Sequence, residues 1–132
     1  MKGFRGNIEK NTLANKNFRK VLYSGHHLQL VLMTLKPGED IGAEIHQDTD
    51  QFFRFEGGVG RCVIDGHKYG VKDGDAIIVP AGAKHNVVNV HKTQALKMYT
   101  VYAPPHHKDG LIRATKEEAE KHGIEFDGKA TE

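Results

Sequence analysis

Short runs of apolar and β-branched residues, separated by polar or glycine-containing turns, make up most of the chain between residues 21 and 103. Such runs, bounded by turn residues, predict strands. The predicted strands cover residues 21–24, 28–35, 41–46, 51–56, 59–65, 67–71, 76–79, 85–90 and 94–103. The Asp65-Gly66 pair predicts a tight hairpin, because a type I′ turn needs positive φ at both central residues. Many short strands at hairpin spacing predict an all-β antiparallel sandwich or barrel.

The two ends of the chain have a different pattern. Thr115 and Glu118 have the spacing of a helix capping box, and Gly123 is a typical stop signal, so we predict a short helix over residues 116–122. The polar, Asn-rich N-terminal segment shows no clear period. The sequence therefore predicts an N-terminal arm or edge strand (1–19), a β-barrel (20–103) and a C-terminal tail with a short helix (104–132).

The length of the chain indicates one domain, and its net charge indicates no strong attraction to nucleic acid or to an anionic membrane. The chain has 132 residues, with 19 Lys and Arg against 17 Asp and Glu, a net charge of +2. This balance is unlike the basic stripe of a nucleic-acid-binding protein, so we expect no nucleic-acid or membrane partner. The longest stretch without a charged side chain, residues 21–35, contains several polar residues and does not resemble a membrane span of about 20 apolar residues.

The single cysteine, Cys62, excludes an internal disulfide and a zinc site of the CxxC type. It fits a reducing compartment, and we expect it to be a small buried residue of a strand. No apolar leader segment follows the N-terminal charges. We therefore expect a soluble, cytoplasmic protein.

Nine histidines in a chain of this length raise the question of a metal site. Residues two apart in a strand share a face, so Glu44 and His46 point the same way. Gln51 lies on the next predicted strand, and His85 lies on a later one. If these faces line one barrel interior, a carboxylate, two imidazoles and an amide oxygen converge. Two His and a carboxylate suit Fe, Mn, Co, Ni or Zn. Gln51 is then either a weak fourth ligand or a hydrogen-bond partner of Glu44.

Three further side chains are candidates for binding a substrate. Phe53 shares a face with Gln51 and either fills the barrel or forms an apolar wall for a ligand. Met98 and Tyr102 share a face of the last long strand and could line the same pocket. His106 and His107 follow two prolines. They could reach the barrel mouth as acid or base groups, but we expect them in an exposed, solvated loop.

Two runs of the sequence resemble the paired motifs of the cupins. The first is Gly38-x5-Glu44-Ile45-His46-x4-Gln51-x6-Gly58, similar to the cupin pattern G-x5-H-x-H-x3,4-E-x6-G. The second is Gly74-x5-Pro80-Ala81-Gly82-Ala83-Lys84-His85-x3-Asn89, similar to G-x5-P-x-G-x2-H-x3-N at every fixed position. The chain thus resembles a small single-domain cupin of the phosphomannose-isomerase-like, cupin 2 type. This resemblance implies a double-stranded β-helix (jelly-roll barrel) over 20–103 and a homodimer.

The sequence departs from the first motif at two ligand positions. Glu44 stands in place of a histidine, and Gln51 stands in place of the glutamate, so the resemblance transfers the ligand role only to His46 and His85. One carboxylate has moved rather than vanished. A site with one carboxylate and a divalent ion carries a net charge of +1, which suits an anionic substrate or a metal-bound hydroxide.

We therefore interpret the chain as a metal-dependent enzyme acting on a small oxygen-rich substrate, such as a sugar derivative, a keto acid or a diketone. A divalent metal would act as a Lewis acid in an isomerase-like or dioxygenase-like reaction. Glu44 is the candidate catalytic base, but only if it is not tied to the metal. One alternative is a barrel that binds a metal or small molecule without turnover, and another is a metal-free barrel with a structural or interaction role.

Overall fold

The computed structural model describes residues 1–132 and contains ten strands and two short helices. In chain order they are α1 (Ile8–Ala14), β1 (Arg19–Ser24), β2 (Gln29–Leu35), β3 (Glu44–Ile45), β4 (Asp50–Gly57), β5 (Val59–Ile64), β6 (His67–Lys72), β7 (Ala76–Val79), β8 (Lys84–Asn89), β9 (Leu96–Ala103), β10 (Ile112–Arg113) and α2 (Lys116–Lys121). Neither helix has the length and apolar character needed to span a membrane.

The strands form two antiparallel sheets. The larger sheet has the order β10-β1-β2-β9-β4-β7, and the smaller has the order β3-β8-β5-β6. Strands that follow one another in sequence repeatedly change sheet, as expected for a jelly roll. The predicted all-β fold is confirmed.

One apolar core lies on the inner faces of the two sheets. On the larger sheet, Val31 and Phe53 are register neighbours of Thr100 on the central strand β9. On the smaller sheet, Cys62 of β5 pairs with Val87 of β8. These apolar side chains belong to a single buried cluster, so side chains on the inner faces of both sheets point into one shared interior.

Two turns depend on backbone conformations that glycine allows. Asp65 has φ 46° and Gly66 has φ 83°, as the predicted hairpin between β5 and β6 requires. Gly58 has φ 87°, and a β carbon there would overlap the carbonyl of Ala95. The chain therefore turns from the larger to the smaller sheet at Gly58, directly against the start of β9.

The N-terminal segment differs from its prediction, because residues 8–14 form a helix instead of an extended arm or edge strand. The Asn7 side chain caps α1 by accepting a hydrogen bond from the Lys10 backbone N–H at 3.0 Å. The helix packs across β4 and β9 with only Thr12 fully buried. One buried position gives no apolar period, so the pattern alone did not reveal the helix.

The C-terminal helix is confirmed. The Thr115 side chain accepts from the Glu118 backbone N–H at 3.2 Å, and a Glu118 carboxylate oxygen accepts from the Ala114 N–H at 2.9 Å. The two-residue strand β10, which pairs with β1, was not predicted. Strand β10 holds the segment that leads into α2 at the edge of the larger sheet.

The expectation that Cys62 is buried is confirmed, and its environment predicts its reactivity. Burial raises the pKa of the Cys62 thiol to about 12. We therefore expect the thiol of the native protein to react with a disulfide reagent at pH 8 about 100-fold or more slowly than in denaturant. Absorbance at 412 nm checks this, and rapid reaction of the native protein would contradict it.

Candidate metal centre

The smaller sheet brings three of the four predicted ligands together. Glu44 on β3 is the direct antiparallel partner of His85 on β8, so their side chains share a face. His46 lies two residues beyond Glu44, just past the end of β3. One ligand atom from each of the three residues lies within 4.8 Å of the others. The short strand β3 therefore creates the cluster that the residue spacing predicted.

The imidazole of His85 is oriented as a ligand. Its Nδ1 lies 3.2 Å from the carbonyl oxygen of Ala83, which can only accept, so Nδ1 carries the proton. The Nε2 atom is left with its lone pair, is buried and has no hydrogen-bond partner. Metal-binding histidines typically donate their other ring N–H to a carbonyl or carboxylate in this way.

The Nε2 atom of His46 is also buried without an aligned hydrogen bond. It lies 3.1 Å from Oε2 of Glu44. An unpartnered buried polar atom costs about 1–3 kcal/mol. A cation held between the carboxylate and the two free nitrogen atoms would remove this cost, so the donor set fits a divalent transition metal.

Charge and burial give these groups the protonation states that ligands need. Burial raises the pKa of Glu44, but its neighbours, the adjacent His46 first among them, lower it by more, so the pKa lies below its usual range. Burial lowers the pKa of His85. At neutral pH the site therefore offers an anionic carboxylate and a neutral His85 imidazole, the forms that bind a cation.

Gln51 reaches the same interior from the larger sheet. It is 2% exposed, and its Nε2 donates to the Thr100 hydroxyl at 3.0 Å. Its Oε1 has no hydrogen-bond partner. Gln51 therefore is not the hydrogen-bond partner of Glu44, and its role as a fourth ligand stays a prediction.

Aromatic rings surround the two imidazoles. The His46 ring lies 5.9 Å from the Tyr102 ring and 4.3 Å from the His106 ring, measured between centroids. The Phe53 ring lies 6.4 Å from His85. Phe53 and Tyr102 are therefore placed beside the candidate metal centre.

Met98 lies farther along the inner face of β9. It is fully buried opposite Met33 of β2 and Phe55 of β4. It lies two residues before Thr100 and on the same face of the strand. Its surroundings are those of a core residue, and its substrate-binding role stays a prediction.

The expectation that His106 and His107 are solvated is wrong for His107, which is buried, whereas His106 is half-buried. His107 is 9% exposed, and its Nε2 lies 3.2 Å from the Tyr102 hydroxyl. The backbone of His107 is held at both ends by the buried amide of Gln29, which accepts from N–H at 2.9 Å and donates to C=O at 2.6 Å. Gln29 in an otherwise apolar strand was the available signal, since a buried amide needs partners.

The C-terminal tail covers the same loop. The Phe126 N–H donates to the His106 carbonyl at 3.0 Å, and the Lys108 N–H donates to the Ile124 carbonyl at 3.2 Å. The tail thus closes over the side of the site that carries His106.

Comparison with known proteins agrees with this architecture. The family model described as "Cupin domain" matches residues 31–102, more than half of the chain and all three clustered ligand residues. The chain belongs to the cupin family. The departures at Glu44 and Gln51 therefore occur in a true cupin barrel.

Three relatives of this cupin illustrate the match. It is 45% identical over 124 residues to the uncharacterized protein YrkC of Bacillus subtilis, covering 89% of this chain and 66% of that protein. It is 41% identical over 109 residues to the uncharacterized protein L612 of Acanthamoeba polyphaga mimivirus, covering 80% of this chain and 68% of that protein. The crystal structure of BH2720 from Bacillus halodurans superposes with a TM-score of 0.87 at 43% identity, covering 89% of this chain and 93% of that one. This cupin thus spans about two thirds of the two sequence relatives.

The ligand cluster predicts the metal content of the protein. We expect about one divalent transition metal ion per chain, with affinity reduced at least about 10–100-fold in Glu44→Ala, His46→Ala or His85→Ala, because each removes a donor. Elemental analysis after purification without a His tag measures this. The exposed His67→Ala serves as the matched control and should retain the ion. Metal below about 0.1 ion per chain in the wild type, unchanged by added Fe, Mn, Ni or Zn, would contradict the prediction.

Burial of His107 predicts acid sensitivity of the metal-free protein. Burial, and after it the charge of Arg19, lower the pKa of His107 to about 2 from its usual 6.5. Between these values the unfolded chain binds one more proton than the folded chain at this residue. The free energy of unfolding should therefore fall by about 1.4 kcal/mol per pH unit as the pH drops below 6.5.

Urea unfolding at pH 5, 6 and 7 measures this dependence. His107→Gln should lose the contribution of one proton to the slope, whereas the exposed His67→Gln should not. An equal pH slope in wild type and His107→Gln would contradict the assignment.

Proposed function

We propose that this cupin is a metal-dependent enzyme acting on a small oxygen-rich substrate inside the barrel. Glu44, His46 and His85 hold a divalent Fe, Mn, Ni, Co or Zn ion, with Gln51 as a weak fourth donor. One observation carries the proposal, namely that the buried Nε2 atoms of both histidines and a carboxylate face one another without other aligned partners.

When bound, such an ion would supply Lewis-acid polarisation of a substrate oxygen for isomerisation, whereas oxygenation would require Fe with open coordination positions. The residues of the chain orient the substrate and control its protons. Phe53 provides an apolar surface beside His85. The Tyr102 hydroxyl stays protonated, because burial raises its pKa to about 12, and it donates or accepts a hydrogen bond as the substrate requires.

Glu44 has two competing roles. A carboxylate that binds a metal ion becomes a weaker base, because the cation stabilises its anionic form and lowers its pKa. Because Oε2 of Glu44 lies 3.1 Å from His46 Nε2, the ligand role fits the geometry better. A substrate that displaces Glu44 from the metal would release it as a base at the same position.

The alternative is a non-catalytic barrel, which would retain a compound tightly without converting it.

For either role, a homodimer in the cytoplasm stays an expectation from the sequence.

Turnover tests the proposal directly. We expect metal-loaded protein to convert at least one member of a panel of aldoses, ketoses, keto acids and β-diketones, followed by NMR with and without oxygen. His46→Ala should lower the rate by more than about 100-fold, since even the hydrogen-bond partners of ligands contribute about 10–100-fold. His67→Ala is the control and should retain the rate. Tight retention of a compound without product would contradict catalysis and favour the binding barrel.

A further inference from the structure

The barrel contains a buried positive charge that the metal centre does not use. Arg19 begins β1 with its side chain on the inner face, opposite Met33 of β2. It is 7% exposed, and its Nε has no hydrogen-bond partner. None of the four ion pairs of the chain includes Arg19, so no carboxylate pairs with its guanidinium. The centroid of the Phe18 ring lies 5.2 Å from its guanidinium carbon.

The guanidinium faces the same space as the candidate metal centre. It lies beside the Tyr102 hydroxyl, where it opposes the larger effect of burial on the pKa of that group. Its charge also lowers the pKa of Glu44, after the larger effects of burial and of His46. It lowers the pKa of His106 as well, after the larger effects of burial, His46, Glu44 and Glu125. Arg19 and the metal-binding cluster therefore line one interior from opposite sheets.

A buried guanidinium without an anion is costly, because desolvation of the charge is not compensated. Proteins that keep such a group commonly use it to bind an anion, and the planar fork of arginine matches a carboxylate in two parallel hydrogen bonds. We propose that Arg19 binds the carboxylate of the molecule that enters this barrel, and that the substrate class is small carboxylic acids. That the bound acid is a substrate rests on the proposed function, whereas its binding by Arg19 does not.

A carboxylate fits the surroundings better than a phosphate. A phosphate presents a tetrahedral set of oxygens and is typically met by several cationic or backbone donors. Here one guanidinium lies beside the Tyr102 hydroxyl, and the fork of a single guanidinium matches one planar anion.

Anion binding by the metal-free protein tests the inference without any need for turnover. Isothermal titration calorimetry with malonate and pyruvate is compared with the neutral malonamide and with inorganic phosphate. We expect the carboxylates to bind, and Arg19→Met to weaken them about 10–100-fold, the effect of losing a charged hydrogen bond. Arg61→Gln, which removes an exposed arginine on β5, is the matched control and should leave binding unchanged.

Stability distinguishes a ligand-binding arginine from a structural one. We expect the melting temperature of the anion-free Arg19→Met protein to equal or exceed that of the wild type, because an unpaired buried charge is removed. If Arg19→Met does not fold, Arg19→Lys keeps the charge without the planar fork and should still weaken carboxylate binding.

Three results would overturn the inference. They are absence of carboxylate binding by the folded wild type, equal binding by the folded Arg19 variant, and phosphate binding that is tighter than that of either carboxylate. Carboxylate binding without any turnover would support Arg19 while removing the enzymatic proposal, so the two failures are distinguishable.

Discussion

The interior of this barrel is constrained by polar atoms that the protein itself does not satisfy. Five buried side-chain nitrogen or oxygen atoms have no hydrogen-bond partner, and four of them belong to Arg19, His46, Gln51 and His85. At about 1–3 kcal/mol each, such atoms together represent a large share of the stability of a small domain. The fold keeps them in one space, which indicates that something from outside completes them.

Other buried polar groups of the same barrel show that the chain can satisfy its own atoms. Asn89, the last residue of the second motif, donates to three backbone carbonyls, those of Leu35, Lys36 and Gln94, and accepts from the His91 N–H. Gln29 is likewise satisfied by Ser24 and by the His106–His107 backbone. Buried polar groups with complete hydrogen bonding therefore stabilise the fold, whereas the unpartnered groups of the interior are those that a ligand would complete.

Local rules and the motif resemblance together predicted the three clustered ligands. Residues two apart in a strand share a face, which put Glu44 beside His46, and the resemblance to the cupin motifs gave His46 and His85 as ligands. The pairing of β3 with β8, which brings Glu44 opposite His85, is a long-range contact that the sequence only suggested. The features that the sequence did not predict depend on contacts between residues far apart in the chain. His107 is buried because Gln29, 78 residues away in sequence, holds its backbone, and no local pattern carries that information. Arg19 lies in an ambiguous segment, where a charged side chain on an inner face was not expected from its position alone.

The central claim is that one cation completes the space between Glu44, His46 and His85. Anomalous diffraction from crystals of protein purified without chelators or a His tag tests it most directly, with data collected on both sides of each candidate metal edge. The account predicts a single anomalous peak within bonding distance of the carboxylate of Glu44 and the Nε2 atoms of His46 and His85. A map with no anomalous peak there after soaking in Fe, Mn, Co, Ni and Zn, and with both Nε2 atoms hydrogen-bonded to ordered water, would contradict it.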